Sequence, residues 1–303
     1  MINLLARTLL MSTPLLFGAI AEVFAERAGV MNTAIEGIFL LGALGGFVGA
    51  YLGHSLYLGL AAAVLAGMAM AAFYGWITVY LRQHQIVTGT ALSIAAAGLS
   101  SFFMRAAFGT PILPLTVEPM KALPLPLLSR IPLLGPVLFT QNVLTYAMYV
   151  IVPVAWFVLY RTSLGLTIRS CGENPEAVDV AGIRVQRVRF CTVLLAGAMG
   201  GVAGAFYSIG YLGMFTANII GGRGWIAFAI CFLGNWNPLG VLAGTLVFGL
   251  AEAIAIYMQS SGAMVFPNEF FIALPYILTI VLTLSRQSFR VPAKLGVPYR
   301  KEN

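Results

Sequence analysis

Four ionisable residues lie within otherwise apolar stretches of the chain, and they are the side chains there most able to do chemistry: Glu36, Arg105, Arg223 and Glu252. Because a charge is costly inside an apolar segment, such residues usually bind an ion or a polar solute, or pair with another polar group. Arg105 lies near the end of its stretch, where a long side chain can instead extend to the membrane surface. Glu252 either meets a solute or contacts only an opposing helix, and the sequence leaves both alternatives open.

The patterns of common enzyme and metal sites are missing from the sequence. No Gly-Lys dipeptide occurs, so the chain has no phosphate-binding loop of the kind with which ATPases hold nucleotide. Neither a Ser-His-Asp arrangement nor a His-Glu-x-x-His motif is present. The three cysteines lack Cys-x-x-Cys spacing and the two histidines lie far from them, which supports neither a zinc site nor a disulfide framework. We expect no catalytic residue, no metal and no cofactor bound by this chain.

The composition indicates a protein that crosses a membrane many times. Hydrophobic residues make up 60% of the 303 residues and charged residues 9%, with a mean hydropathy of +0.92, whereas soluble domains carry about 25% charged residues. The net charge of +7 does not indicate a nucleic-acid partner, because ten of the 17 basic residues fall in residues 161–189 and 286–301. Clustering of this kind marks cytoplasmic segments of membrane proteins.

The apolar stretches predict nine membrane spans in an all-α bundle. They cover about residues 2–24, 36–53, 56–80, 86–108, 141–160, 188–211, 223–235, 238–258 and 269–285. The seventh is short and follows Gly221–Gly224, which is typical of a broken or re-entrant helix. A cleavable signal peptide is the alternative for the first stretch, since Arg7 precedes an apolar run and Ala19–Ala21 resembles a cleavage site.

Residues 109–140 contain seven prolines, which rules out a regular spanning helix there and predicts an external loop. Counting spans outward from a cytoplasmic 161–189 segment places the C-terminal tail in the cytoplasm and the N-terminus outside. Arg7 opposes that placement of the N-terminus, since it would favour the cytoplasm. We treat residues 1–303 as a single transmembrane domain.

An internal similarity suggests a duplicated plan of four-helix blocks. Residues 41–51 and 196–206 are identical at six of 11 aligned positions, and all six are glycine or alanine. Convergence is the alternative, because close helix packing in lipid itself selects small residues. Under either reading, we expect these two stretches to mark the closest approach of helix backbones.

The polar segment 161–189 contains the signal of a short helix. Asn174 suits an N-cap, Pro175 the first helical position and Gly182 the C-terminal stop. The helix between them is about two turns long and marginal by itself in water. It therefore needs a surface to dock on, whereas a simple solvated turn, the alternative, would not need caps.

This segment resembles the cytoplasmic coupling loop of the permeases in ATP-binding-cassette (ABC) importers for branched-chain amino acids, ribose and nucleosides. In that family the coupling helix inserts into a cleft on the ATP-hydrolysing subunit. The residues that follow the family pattern, together with two acidic neighbours, are Gly172, Glu173, Asn174, Pro175, Glu176, Ala177, Asp179, Gly182 and Ile183. The resemblance implies that they couple the chain to an ATPase.

A second stretch resembles the Glu-Arg-x-Gly-Val-x-Asn-x-x-x-Glu-Gly signature of the nucleoside branch of these permeases. The matching residues are Glu26, Arg27, Gly29, Val30, Asn32, Glu36 and Gly37. The alternative for Glu26 and Arg27 is that they only cap and anchor a helix end. Residues 85–92 and 97–101 are similar to the same branch, with Ser93 where relatives commonly have asparagine.

Residues 222–227 and 233–240 resemble the cavity element in the second half of the same permeases. Trp225, Phe228 and Trp236 offer flat faces suited to a base, although aromatic residues are common at membrane interfaces and each alone is more typical of an anchor there. The candidate substrate pathway from these resemblances and from the buried charges is Asn32, Glu36, Thr88, Ser93, Asn218, Arg223, Trp225, Phe228 and Glu252.

The resemblance implies a permease subunit that moves nucleosides across the bacterial cytoplasmic membrane within an ABC importer. Its expected partners are a second, non-identical permease, ABC ATPase subunits that use ATP and Mg²⁺, and an extracytoplasmic solute-binding lipoprotein. Simple sugars or nucleobases are alternative solutes. An ion-coupled secondary transporter, with Glu36 or Glu252 as the ion site, is the alternative mechanism.

Overall fold

The computed structural model describes residues 2–109, 113–261, 273, 276–281, 284 and 289–300. Within them the chain is a bundle of long helices, as predicted, and it also has one two-stranded ribbon, which was not predicted. The elements are α1 Ile2–Arg27, α2 Ile35–Gly53, α3 Leu56–Gly75, α4 Gln85–Phe108, β1 Leu123–Pro124, α5 Leu134–Leu138, β2 Thr140–Gln141, α6 Val143–Arg161, α7 Ser163–Glu173, α8 Pro175–Val180, α9 Val185–Ala205, α10 Arg223–Leu233 and α11 Pro238–Ser261.

Seven of these helices are long and apolar enough to cross a membrane: α1, α2, α3, α4, α6, α9 and α11. Two of them end in π-helical turns, Trp76–Tyr80 after α3 and Phe206–Leu212 after α9. The seven helices confirm seven of the nine predicted spans. The short α10 corresponds to the predicted broken helix, and the span predicted at 269–285 lies largely outside the described residues.

The helix α7 is an element that the sequence analysis did not predict. It has 11 residues where only a polar loop was expected, and the hydroxyl of Thr162 caps it by accepting a hydrogen bond from the Gly165 amide at 3.2 Å. A Cβ at Gly165 would lie 2.5 Å from the Leu159 Cα, so the glycine permits α7 to fold back against α6. The polar segment therefore holds two helices rather than one.

Helix α1 forms the centre of the bundle and α4 its outside. In an apolar stretch of 18 residues within each helix, 89% of the residues are buried in α1 and 17% in α4. Helix α1 packs against α9, α10 and α11, while α2 packs between α3 and α9. A helix that is apolar on all sides belongs in such an interior position.

The glycine-rich stretches of α2 and α9 touch each other, which confirms the predicted close approach of backbones. A Cβ added at Gly42 would lie 2.6 Å from the Gly201 Cα, and one at Gly204 would lie 2.8 Å from the Ala43 amide nitrogen. On the other side, Gly67 of α3 approaches the Gly201 Cα to 2.8 Å by the same measure. Three helices thus meet at Gly201 with almost no side chain between them.

The two ends of the bundle differ in character. The proline-rich loop pairs β1 with β2 and joins the N-terminal end of α1, where the Gln141 side chain donates to the Ala6 carbonyl at 3.3 Å. Helices α7 and α8 lie at the opposite end of α1, where a Cβ at Gly172 would lie 3.0 Å from the Arg27 carbonyl carbon.

We predict that Gly201→Ala destabilises the bundle by about 1–3 kcal/mol, because the new methyl meets the Ala63 backbone, which has no rotamer with which to move away. Gly98→Ala is the matched control, since nothing lies within 4 Å of its Cβ position. Thermal unfolding of the detergent-purified protein measures both. Equal melting temperatures for the two variants would contradict the packing described above.

Candidate functional site

The carboxylate of Glu36 lies at the start of α10 and holds a glycine turn in place. Its two oxygens accept hydrogen bonds from the amides of Gly222 and Gly224, each at 2.8 Å. A helix N-terminus offers unpaired amides and a partial positive charge, so a carboxylate there is stabilised on both counts. Gly221 and Gly222 have φ angles of +57° and +85°, which glycine adopts without strain. The break before α10 is therefore stabilised by specific hydrogen bonds and by backbone angles that suit glycine.

Arg223 and Glu252 form an ion pair beside this turn. The Arg223 Nε and Nη2 atoms lie 2.8 and 2.7 Å from Glu252 Oε1, and Nη1 donates to the Ile220 carbonyl. The guanidinium also lies over the Tyr207 ring, 5.1 Å from its centroid. Three of the four predicted ionisable residues thus meet around one turn. Arg105 stands apart, exposed in the last turn of α4.

The aromatic residues after the turn form a row along α10. Trp225 is 36% exposed, and its ring centroid lies 6.1 Å from that of the half-buried Phe228. The row continues through Phe232 to Trp236, with centroid distances of 5.0 and 4.9 Å. Trp236 is fully buried and its indole donates to Glu26, so this ring is a packing residue and not an open platform for a base.

The remaining predicted pathway residues are distributed over three other places. Ser93 lies against Gly37, next to Glu36, and its hydroxyl donates to the Thr33 carbonyl at 3.4 Å. Thr88 is half-buried one and a half turns earlier on α4. Asn218 is exposed in the turn before α10, and Asn32 belongs to a separate buried cluster.

That cluster contains two carboxyl groups one helical turn apart on α1, Glu22 and Glu26. Both are fully buried, and Asn32 donates to Glu22 at 2.8 Å while Trp236 donates to Glu26. Glu22 is not among the site residues predicted from the sequence. Its position four residues before Glu26, inside an apolar run, was the signal that could have identified it. The pair ties α1 to the break that follows it and to the end of α10.

The short helix α8 has the caps that the sequence predicts. The Asn174 side chain accepts from the Ala177 amide at 3.1 Å, and Pro175 occupies the first turn. At the other end, the Gly182 and Ile183 amides donate to the carbonyls of Asp179 and Val178, with Gly182 at φ +82°. This is a Schellman ending, which satisfies carbonyls that a helix of this length would otherwise leave unpaired.

The predicted coupling residues around α8 are held by the C-terminal tail. The Gly172 carbonyl accepts from the Lys294 amide at 2.8 Å, and Glu173 accepts from the Ala293 amide at 3.3 Å. The Lys294 ammonium lies 3.6 Å from Glu176. Tyr299 packs on a small core of Cys171, Val178 and Val185 under α8.

Cys171 lies in this small core, where burial raises the pKa of its thiol to about 11. At neutral pH the thiol is therefore protonated and unreactive. Cys191, by contrast, is exposed. Among the described residues, no group of three or more histidine, cysteine, aspartate or glutamate side chains is arranged to hold a metal ion.

Seven helices able to cross a membrane, with a capped break before α10 and a pair of short helices at one end, indicate a multi-pass membrane protein. Residues 4–283 match the family described as "Branched-chain amino acid transport system / permease component". The chain belongs to this family.

Known relatives agree with that assignment. The nucleoside ABC transporter permease protein NupC of Lactococcus lactis is 36% identical over 98% of this chain and 96% of its own length. A protein described as a glucose ABC transporter permease, TsgC13 of Haloferax volcanii, is 34% identical over 88% of this chain and 80% of its own. The inward-facing structure of a protein described as a metal-chelate type ABC transporter matches with a TM-score of 0.53 at 18% identity, covering 94% of this chain and 87% of that one. This last likeness concerns the fold alone.

We predict that Arg223→Ala lowers the free energy of unfolding more in the wild-type protein than in the Glu252→Ala variant. Removing only the arginine leaves a largely buried carboxylate without its partner. The double-mutant cycle should give a coupling energy of about 1–2 kcal/mol, discounted for the partial exposure of the arginine. Additive melting shifts would show that the ion pair contributes nothing to stability.

Proposed function

We propose that this chain is the permease subunit of an ABC importer that moves nucleosides across the bacterial cytoplasmic membrane. The observation that carries the proposal is the geometry of α8. The helix is capped at both ends, buries Pro175 and Val178 against the bundle, and leaves Val180 90% exposed at the end of the bundle. An apolar side chain so exposed on a rigid helix suits insertion into a partner's cleft.

The partner at this end is an ABC ATPase. Because α8 stands on α7 and the C-terminal tail, a displacement of α8 moves elements that reach the inner end of α1. ATP and Mg²⁺ act on the ATPase, and no cofactor is assigned to this chain. With α8 facing the ATPase, residues 161–189 and the C-terminus lie in the cytoplasm, and the N-terminus and the loop at 109–140 lie outside.

The solute site consists of the glycine turn with Glu36, Arg223 and Glu252, next to Trp225 and Phe228. Fixed amides, a guanidinium and carboxylates can hydrogen-bond sugar hydroxyls, while the partly exposed Trp225 ring can stack on a base. The signature from Glu26 to Gly37 and the relative NupC favour nucleosides. The relative TsgC13 makes simple sugars the second candidate.

The complete transporter contains further subunits. A second permease, distinct in sequence, completes the pore, and a lipoprotein outside the membrane delivers solute. Both follow from the family pattern of an importer, in which the membrane domain by itself neither captures solute from dilute solution nor hydrolyses ATP.

Val180→Asp should lower solute uptake by about tenfold or more, because an aspartate at the centre of an apolar contact would be desolvated without a partner. Val180→Leu is the control, since it keeps an apolar side chain at the same exposed position. Uptake of radiolabelled uridine into vesicles containing the assembled transporter measures both. Because the Val180 side chain is exposed, both variants should give the same protein yield as the wild type. Unchanged uptake in Val180→Asp would show that α8 does not make the coupling contact.

Uridine uptake in these vesicles should require internal ATP and should continue when a protonophore dissipates the proton gradient. Excess unlabelled adenosine should compete with the uridine label, whereas glucose should not. Uptake that follows the proton gradient would favour the ion-coupled alternative. Competition by glucose at equal concentration would favour a sugar permease.

A further inference from the structure

The last described stretch of the chain, residues 289–300, crosses the end of the bundle that carries α8. We name it the C-terminal strap. Its backbone amides donate to three different elements: Arg290 to the Asn235 side chain at 2.7 Å, Lys294 to the Gly172 carbonyl at 2.8 Å, and Gly296 to the Gly29 carbonyl at 3.2 Å. The strap therefore touches the turn between α10 and α11, the end of α7, and the turn between α1 and α2.

A buried arginine on α9 fixes the strap. Arg189 is 2% exposed, and its guanidinium donates to the Val297 carbonyl of the strap at 2.8 Å and to the Cys171 carbonyl of α7 at 3.3 Å. A Cβ at Gly29 would lie 2.6 Å from the Arg189 Nη2 atom, so the same group also contacts the turn after α1. Because a planar guanidinium bonds carbonyls only in fixed directions, it holds these three segments in one arrangement.

The turns that the strap contacts also contact the buried cluster of Glu22, Glu26 and Asn32. The Arg27 guanidinium, at the end of α1, donates to the carbonyls of Trp236 and Asn235 in the turn between α10 and α11. Trp236 in turn donates to Glu26. A movement of the strap thus acts on α1 and on the end of α10, whose other end forms the glycine turn with Glu36.

We propose that the C-terminal strap, positioned by Arg189, links the coupling helix α8 mechanically to the breaks in the transmembrane helices. Lys294 and Tyr299 contact the α8 side, through Glu176 and through the core of Cys171 and Val178. Gly296 and Arg290 contact the membrane side. This inference rests on the proposed function, because it assigns the path by which the work of an ATPase reaches the helices. Arg189 is a positioning residue and meets no solute.

The test compares Arg189→Gln with Arg187→Gln, an exposed arginine on the same helix, and with Arg189→Lys, in the assembled transporter in vesicles. The readout is the number of uridine molecules imported per ATP hydrolysed. Arg189→Gln should lower this ratio by about tenfold with ATP hydrolysis retained. Arg189→Lys should restore part of it, because an ammonium can still reach one carbonyl, and Arg187→Gln should match the wild type.

An unchanged ratio in Arg189→Gln overturns the inference, as does a parallel fall of uptake and hydrolysis, which indicates a general structural role. The proposed function fails separately, if the wild-type transporter shows no ATP-dependent uptake of uridine. If the wild type and the Arg189→Gln variant both couple uptake to ATP hydrolysis normally, the proposed role of the strap is wrong and the proposed function stands.

A second measurement does not depend on the arginine variants. In a Cys191→Ser/Cys231→Ser background, Cys171 reports whether the strap covers the small core beneath α8. Maleimide should label Cys171 slowly both with and without a non-hydrolysable ATP analogue, since a rigid link stays seated in both states. Deletion of residues 289–303 should speed labelling by about tenfold or more and abolish coupled uptake. Fast labelling of the intact chain in either nucleotide state overturns the inference.

Discussion

The structure depends on one constraint: backbone polar groups freed by a break in a helix inside an apolar bundle must find partners within the protein. The chain meets it, at the break before α10 and at the turn between α1 and α2, with side chains from distant helices. Glu36 of α2 receives the amides at the start of α10. In the turn between α1 and α2, the Met31 amide donates to Gln85, and the Met31 carbonyl accepts from Tyr74. Each break is therefore fixed in shape, and it can move only when the helices that hold it move.

The rigid and movable parts of the bundle are separated accordingly. At Gly42, Gly67 and Gly201 three helices touch backbone to backbone, where no side chain can change rotamer to absorb a displacement. The breaks and the short α10 lie between that contact and the end of the bundle that carries α8, which the C-terminal strap crosses. A force applied at α8 thus meets a chain of hydrogen-bonded turns before it meets the close-packed helices, and the turns near Glu36 and Trp236 are where a change in shape would concentrate.

The sequence predicts the local features and not the long-range ones. Hydropathy locates the spans because each is a single apolar run, and the Asn174 and Gly182 caps locate α8 because a cap acts within a few residues. Helix α7 was missed since its 11 residues are too short and too polar for a hydropathy window. No local pattern pairs Glu36 with Gly222, 186 positions away, or Arg189 with Val297. Such pairs are set by helix packing. The basic residues of the tail indicate its side of the membrane, but they do not predict the backbone hydrogen bonds of the strap.

The same contacts bear on the energy source for transport. One way in which an ion-coupled carrier binds its cation is through an intramembrane carboxylate that the protein leaves accessible in one of its states. Here each oxygen of Glu36 accepts a backbone amide, and Glu252 binds a guanidinium that also lies over an aromatic ring. An entering cation would have to release the start of α10 or displace Arg223, at the loss of charge-assisted hydrogen bonds that a single monovalent ion does not replace. In the proposed transporter, those two residues are therefore fixed elements of the solute site, and the work that opens the site comes from outside the membrane, through the capped helix at the end of the bundle.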